Sequence, residues 1–215
     1  MVTNLIVADS GILFGNWGEY SSQTAGMYDP ETDQWTALPE IPGKPVNVGN
    51  RMNDAGIGTG AACEGDYGSN YNCVAWVWDS HRPGYRFIIP PGADSSQGFG
   101  INNKGLIVGT ATVGTDVFGF LDYKGNLTRL RIPTEQSCGV DINDPGTILV
   151  NSFYAGCTGS GHGELMDAKG FTHLPDWPNA VLTAYTGTND RGDLTGNWFD
   201  ESGMFHGFVA IRKLR

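Results

Sequence analysis

"GINNKGLIVGTA", residues 100–111, sets a turn signal between two strand-like runs. Related wording returns as "RMNDAGIGTGAA" (51–62), "DINDPGTILVNS" (141–152) and "GTNDRGDLTGNW" (187–198), and more loosely as "IVADSGILFGNW" (6–17). The turns are Asp9-Ser10-Gly11, Asp54-Ala55-Gly56, Asn103-Lys104-Gly105, Asp144-Pro145-Gly146 and Asp190-Arg191-Gly192. Asx-x-Gly supplies the positive φ that a tight hairpin needs, so these residues are structural first.

Each unit continues in one order. After "GLIVGTA" come a loop, "FGFLDY", the turn "KG" and "LTRLRIP". The corresponding third segments are "AGMYDP", "VAWVWD", "GELMDA" and "HGFVAI"; the other fourth segments are "QWTALPEIP", "YRFIIPP" and "FTHLPDWP". No long stretch has the three-and-four apolar spacing of a helix. Four short strands per unit at a period of about 40–50 residues read as propeller blades. The expected fold is all-β: one five-bladed β-propeller domain over residues 1–215, with units near 1–46, 47–93, 94–135, 136–178 and 179–215. The chain ends at "GFVAIRKLR", too early for a fourth strand, so the last blade is expected to have three. Arg212, Lys213 and Arg215 would then discourage pairing at its edge.

"YDPETDQWTALPEIP" (28–42) resembles the second half of a kelch blade, and "GINNKGLIVGTA" followed by "GFLDYKGNL" is similar to the HAF repeats of bacterial extracellular proteins. The kelch double glycine is absent. Single glycines stand at Gly15, Gly60, Gly109 and Gly196, and Asn151 is read as their counterpart in the fourth unit. The kelch resemblance implies protein binding. The HAF resemblance implies export and no particular activity. Kelch-like order makes the strand before each Asx-x-Gly turn innermost and the "WTALP"-type strand outermost.

In a four-stranded meander the loops alternate between two faces. The Asx-x-Gly turns and the third-to-fourth turns share one face and are short. The second-to-third loops and the connections between blades share the other, and they differ from unit to unit. Divergence among repeats marks the loop face as the place for function. Cys63 and Cys73 bracket one such loop, and Cys138 and Cys157 fall at the same face of the fourth blade. Two disulfides are expected, which places the protein in an extracellular or periplasmic compartment. Four unpaired thiols in a cytosolic protein are the alternative. "VTNLIVADS" after Met1 has neither a basic start nor a long apolar core, so no signal peptide is expected in this chain.

The net charge of −10 concentrates on the loop face through Glu19, Glu40, Glu64, Asp66, Asp94, Asp116, Glu135, Asp176, Asp200 and Glu201, against Lys44. Such a face repels nucleic acid and anionic membrane and attracts cationic partners. Acidic loops that serve only solubility are the plain alternative. Trp17, Tyr20, Tyr67, Tyr71, Phe153, Tyr154, Trp177, Trp198 and Phe199 gather on the same face. Trp17 and Trp198 occupy equivalent places in the first and fifth units, which a closed ring would bring together. Aromatic anchors within a polar rim suit a protein interface or a sugar platform.

His81, His162, His173 and His206 lack ligand spacing, and the cysteines lack CxxC spacing, so neither a metal nor a cofactor is expected. Three residues before each turn's Asx, near the axis, stand Ile6, Arg51, Gly100, Asp141 and Gly187, and Arg51 and Asp141 are the expected channel pair. Glycoside hydrolysis would need two carboxylates there, and Asp141 alone is well placed. The sequence reading is therefore a non-catalytic, exported, monomeric binding propeller for a cationic protein, acting as an inhibitor or immunity protein. A lectin is the first alternative and a glycosidase the second.

Overall fold

The computed structural model describes residues 2–7, 11–19, 22–65, 72–131, 136–153 and 161–213. Within these residues nineteen strands form five antiparallel meanders. The first blade is β1 (Val2–Val7), β2 (Leu13–Trp17), β3 (Thr24–Asp29) and β4 (Gln34–Ala37). The second is β5 (Val46–Met52), β6 (Ile57–Cys63), β7 (Val74–Asp79) and β8 (Arg82–Ile88). The third is β9 (Ser95–Ile101), β10 (Leu106–Val113), β11 (Asp116–Tyr123) and β12 (Asn126–Arg129). The fourth is β13 (Gln136–Ile142), β14 (Ile148–Phe153), β15 (Gly161–Asp167) and β16 (Gly170–His173). The fifth has only β17 (Leu182–Thr188), β18 (Leu194–Phe199) and β19 (Phe205–Ala210). The architecture is a five-bladed β-propeller with a three-stranded last blade.

The hairpin turns work as their chemistry requires: Gly56, Gly105, Gly146 and Gly192 have φ of 72°, 77°, 99° and 81°. An asparagine just before each of these four turns caps it. Asn102 Oδ1 accepts from the backbone N–H of Lys104 and Leu106, and Asn53 and Asn189 do the same in their own blades; Asn143, followed two residues on by Pro145, accepts from Gly146 and Thr147 instead. Their side-chain amides then reach the next blade. Asn53 donates to the carbonyl of Asn102, Asn102 to that of Asn143, and Asn143 to that of Asn189, each at 3.0 Å. Asn189 ends the series by donating to Asp193 of its own blade. The first unit has Ala8 where the others have asparagine.

Between neighbouring blades the core is apolar. Phe14 meets Met52, Ala62 and Trp76; Ile88 and Ala75 meet Ile101, Ile107 and Phe120; Val108 and Leu130 meet Ile142 and Val150; Leu149 meets Tyr185 and Leu194. Burial of each such side chain contributes about 1.5–3 kcal/mol. Asparagines couple the sheets as well: Asn16 accepts from the N–H of Gly49, and Asn151 exchanges two bonds with the backbone of Tyr185. The fifth blade differs. Among the described residues no strand of it packs on the first blade as the other neighbours pack. The side chain of Asn197, which matches Asn16 and Asn151 in register, makes no such bond to a neighbouring blade among them.

Register also corrects one sequence alignment. Gly60, Gly109 and Gly196 lie opposite Trp76, Phe120 and Phe208, whose rings would be 2.4–2.6 Å from an added Cβ. In the fourth blade the residue in that place is Val150, not Asn151, and it lies opposite Glu164. At the three glycines an inner-strand carbonyl, that of Val48, Gln97 or Ala184, would crowd an added Cβ as well.

Candidate functional site: the axis and the loop face

A one-residue bulge interrupts the innermost strand of every blade, between Thr3 and Ile6, Gly49 and Arg51, Gly98 and Gly100, Gly139 and Asp141, and Tyr185 and Gly187. Bulges re-aim side chains, and here they fall beside the five axial residues. Arg51 Nη2 lies 2.5 Å from Asp141 Oδ2. Asp141 is buried, and its carboxylate also accepts from the N–H of Ile142 and of Thr188. Gly100 and Gly187 make the space: a Cβ on Gly100 would lie 2.8 Å from Asp141 Cα. The pair ties the second, fourth and fifth blades at the axis. A cavity of about 230 Å3 opens beside it, bordered by Ile6, Asp54, Asn103, Asp144 and Asp190. Three turn carboxylates therefore share the axis with Asp141, which the sequence reading did not count. Asn103 donates to both Asp54 and Asp144, so two of the three are held in a side-chain network.

On the loop face the residues singled out from sequence separate into three places. The first is the fourth-to-fifth blade junction. The connection after β16 is fixed by Trp177 N–H donating to Thr183 Oγ1 and by Tyr185 Oη donating to the Pro175 carbonyl. Trp177 is thereby laid between Phe208 and Trp198, with ring centroids 5.5 Å apart on each side. Trp198 continues the stack onto His206 at 4.1 Å, and His206 Nε2 meets Asp200 Oδ2 at 2.8 Å. That bond, with further donation from Ser202 and the Met204 N–H, holds the Asp200 carboxyl well below the usual carboxylate range. Asp176, beside Trp177, meets His162 at 2.9 Å, and Glu201 is exposed on the adjoining loop. Trp177 is 40% exposed, so the stack presents an aromatic surface flanked by carboxylates.

The second place is the first blade, where Trp17 meets Trp35 with centroids 6.2 Å apart and planes tilted by 39°. The expected approach of Trp17 to Trp198 is not made: no ring contact joins them, and no strand of the fifth blade packs on the first as the other neighbours pack. The third is the second blade, where Cys63 and Cys73 form a disulfide. Lys44 bridges Glu64 and the Asn72 carbonyl there, and the Glu64 carboxyl is lowered chiefly by the Lys44 bond. Cys138 is disulfide-bonded too. Cys157 lies outside the described residues, as do Tyr20, Asp66, Tyr67, Tyr71, Glu135 and Tyr154.

The acidic face is more internally paired than its sequence suggests. Beyond Lys44, Arg129 reaches Asp116 from β12 at 2.9 Å, and His162 and His206 hold Asp176 and Asp200. Among the described residues no group of three or more His, Cys, Asp and Glu side chains is arranged to hold a metal ion. Among the described residues no helix is long and apolar enough to cross a membrane either.

This is the geometry of a small β-propeller in which each blade is built from its own stretch of chain. No known protein family matches it by sequence, and no curated protein does. Solved structures do. The β-propeller domain of the Trilobed protease from Pyrococcus furiosus, described as having an open velcro topology, aligns over 97% of this chain and 68% of its own, with a TM-score of 0.60 at 11% identity. The acylaminoacyl peptidase of Pyrococcus horikoshii aligns over 99% of this chain at 11% identity and a TM-score of 0.62, and the chain spans only 38% of its length. The protein YjhT aligns over 96% of this chain and 78% of its own, with a TM-score of 0.54 at 13% identity. At these identities the likeness shows the fold. It also corrects the expectation that the chain is not an enzyme: two of the three are peptidases, so this fold occurs within enzymes and the non-catalytic assignment is withdrawn.

Proposed function

We propose that the propeller is a binding unit whose loop face takes up a cationic segment of a partner protein in an oxidising compartment. The observation that carries this reading is the Phe208–Trp177–Trp198–His206 stack, half open to solvent and flanked by Asp200, Asp176 and Glu201. An aromatic face attracts an ammonium or guanidinium group held over it, and neighbouring carboxylates add to the attraction. The stack is assembled from a blade connection and two strands, so it is rigid before a ligand arrives, and less side-chain freedom is lost on binding. The Cys63–Cys73 disulfide supports the compartment.

Titration of Trp fluorescence with an arginine- and lysine-rich peptide, at low and moderate salt, tests this. Binding should weaken as salt rises. It should fall by about tenfold in Trp198→Ala and in the Asp200→Ser, Glu201→Ser double variant. Binding of neutral oligosaccharide instead, indifferent to salt and to the carboxylates, would replace this reading with the lectin.

A further inference from the structure

Among the described residues four blades end in a fourth strand and the fifth does not, and the uncovered surface is specific. The residues on the second strand that face the next blade are Phe14, Thr59, Val108 and Leu149, all 0% exposed. Their counterpart in the fifth blade, Thr195, is exposed. On β19, Phe205 and Val209 are 57% and 65% exposed, and Ile211 just beyond is 67% exposed. Val77, Leu121 and Leu165, which match Val209, are half-buried. A cavity of about 370 Å3 opens here, lined by Thr195, Val209, Ile211 and Arg51 among others. Among the described residues only β18 pairs with β19, so its outer edge presents unpaired backbone groups beside an apolar face.

The sister blades show what fits such an edge. Three of their fourth strands run Thr-x-Leu: Thr36-Ala37-Leu38, Thr128-Arg129-Leu130 and Thr172-His173-Leu174. In each, the leucine N–H donates to one equivalent third-strand carbonyl, that of Ala25, Gly119 or Gly163, at 2.8–2.9 Å. Leu38 and Leu130 are buried toward the next blade, and Ile88 takes that place in the second blade, paired with Ala75. The equivalent carbonyl in the fifth blade belongs to Gly207. Charge adds a second requirement. β19 runs on into exposed Arg212 and Lys213, so a strand laid antiparallel on it meets positive charge at its own start.

We propose that the free edge of β19 docks an extended segment of a partner protein, acidic at its start and continuing as Thr-x-Leu, which supplies the fourth strand of the fifth blade. Backbone bonds to the edge provide affinity, and the leucine filling the wedge beside Thr195 and Val209 provides selectivity. The site is independent of the aromatic stack on the loop face.

The chain itself supplies a probe. A labelled synthetic peptide of residues 31–42, ETDQWTALPEIP, transferred in the register of the first blade, sets Thr36 opposite Val209 and Asp33 opposite Arg212. Titrated into the protein and followed by fluorescence anisotropy, it should bind saturably. Val209→Lys, at an exposed edge position that tolerates charge, should weaken binding by about tenfold or more. Asp33→Lys in the peptide should weaken it also, and Arg212→Glu in the protein should restore that loss. Binding to Glu201→Ser should be unchanged, which separates this site from the loop face. Absence of saturable binding, or equal binding by Val209→Lys, would overturn the proposal. So would sedimentation showing a dimer of the chain alone that Val209→Lys dissociates, since a second copy would then occupy the edge.

Discussion

The side-chain amide of Asn102 donates to the carbonyl oxygen of Asn143, 3.0 Å away across the boundary between the third and fourth blades. The same side chain's oxygen caps its own hairpin turn, so one asparagine both closes a turn and fastens it to its neighbour. Asn102→Ala removes three buried bonds and strands two backbone N–H groups, and should cost about 2–4 kcal/mol. Asn102→Asp keeps the cap and loses the donor, and should fall between. Urea unfolding monitored by Trp fluorescence distinguishes the three.

The Arg51–Asp141 pair makes a prediction at the axis. Asp141→Ala would leave Arg51 without its counter-ion and the Thr188 N–H without its acceptor, a loss of about 3 kcal/mol in unfolding free energy. A double Arg51→Met, Asp141→Leu variant should recover much of that loss, because removing both charges also removes their desolvation penalty.

Cys63 and Cys73 sit in a buried cluster with Val46, Val48 and Ala61. Replacing both with alanine should lower stability by about 2–3 kcal/mol, as expected for opening a short closed loop. Chemical denaturation of the double variant beside the wild type measures this without disturbing Cys138.

Acid stability follows from the carboxylates. Asp200, Asp193, Glu64 and Asp29 all have folded-state pKa values below the ordinary range: Asp200 chiefly through His206, Asp193 through Asn189, Glu64 through Lys44 and Asp29 through the Glu31 N–H. A depressed folded pKa contributes stability that is present above the unfolded value and is lost as pH falls through the folded one. The melting temperature should therefore drop below about pH 4, and Asp200→Asn should flatten part of that drop. Thermal scans of both proteins from neutral to acid pH give the comparison.

The blades were legible because turn chemistry is local: Asp54-Ala55-Gly56 and its siblings declare a hairpin whatever surrounds them. The asparagine relay leaves a trace in the sequence as well, since Asn53, Asn102, Asn143 and Asn189 each stand one residue before a turn, but the reach of each amide to the next blade does not. The loop-face site was only half legible. Trp177, Trp198 and Asp200 were named from sequence. That His206 and Phe208 complete their stack, while Trp17 stands apart on Trp35, depends on how a blade connection is laid over a neighbouring strand.

By itself the sequence determined the five-fold repeat, the order of strands, the missing last strand and the axial positions of Arg51 and Asp141. Each follows from short-range turn and register rules that act within a few residues. Tertiary structure alone decided which carboxylates keep their charge unpaired, which aromatic residues share a surface, and that the forward face of the fifth blade is left open. Those outcomes are set by side chains from different blades competing for the same space, hydrogen bonds and counter-ions, and residues in a linear chain carry no record of which neighbours they will meet across a blade boundary.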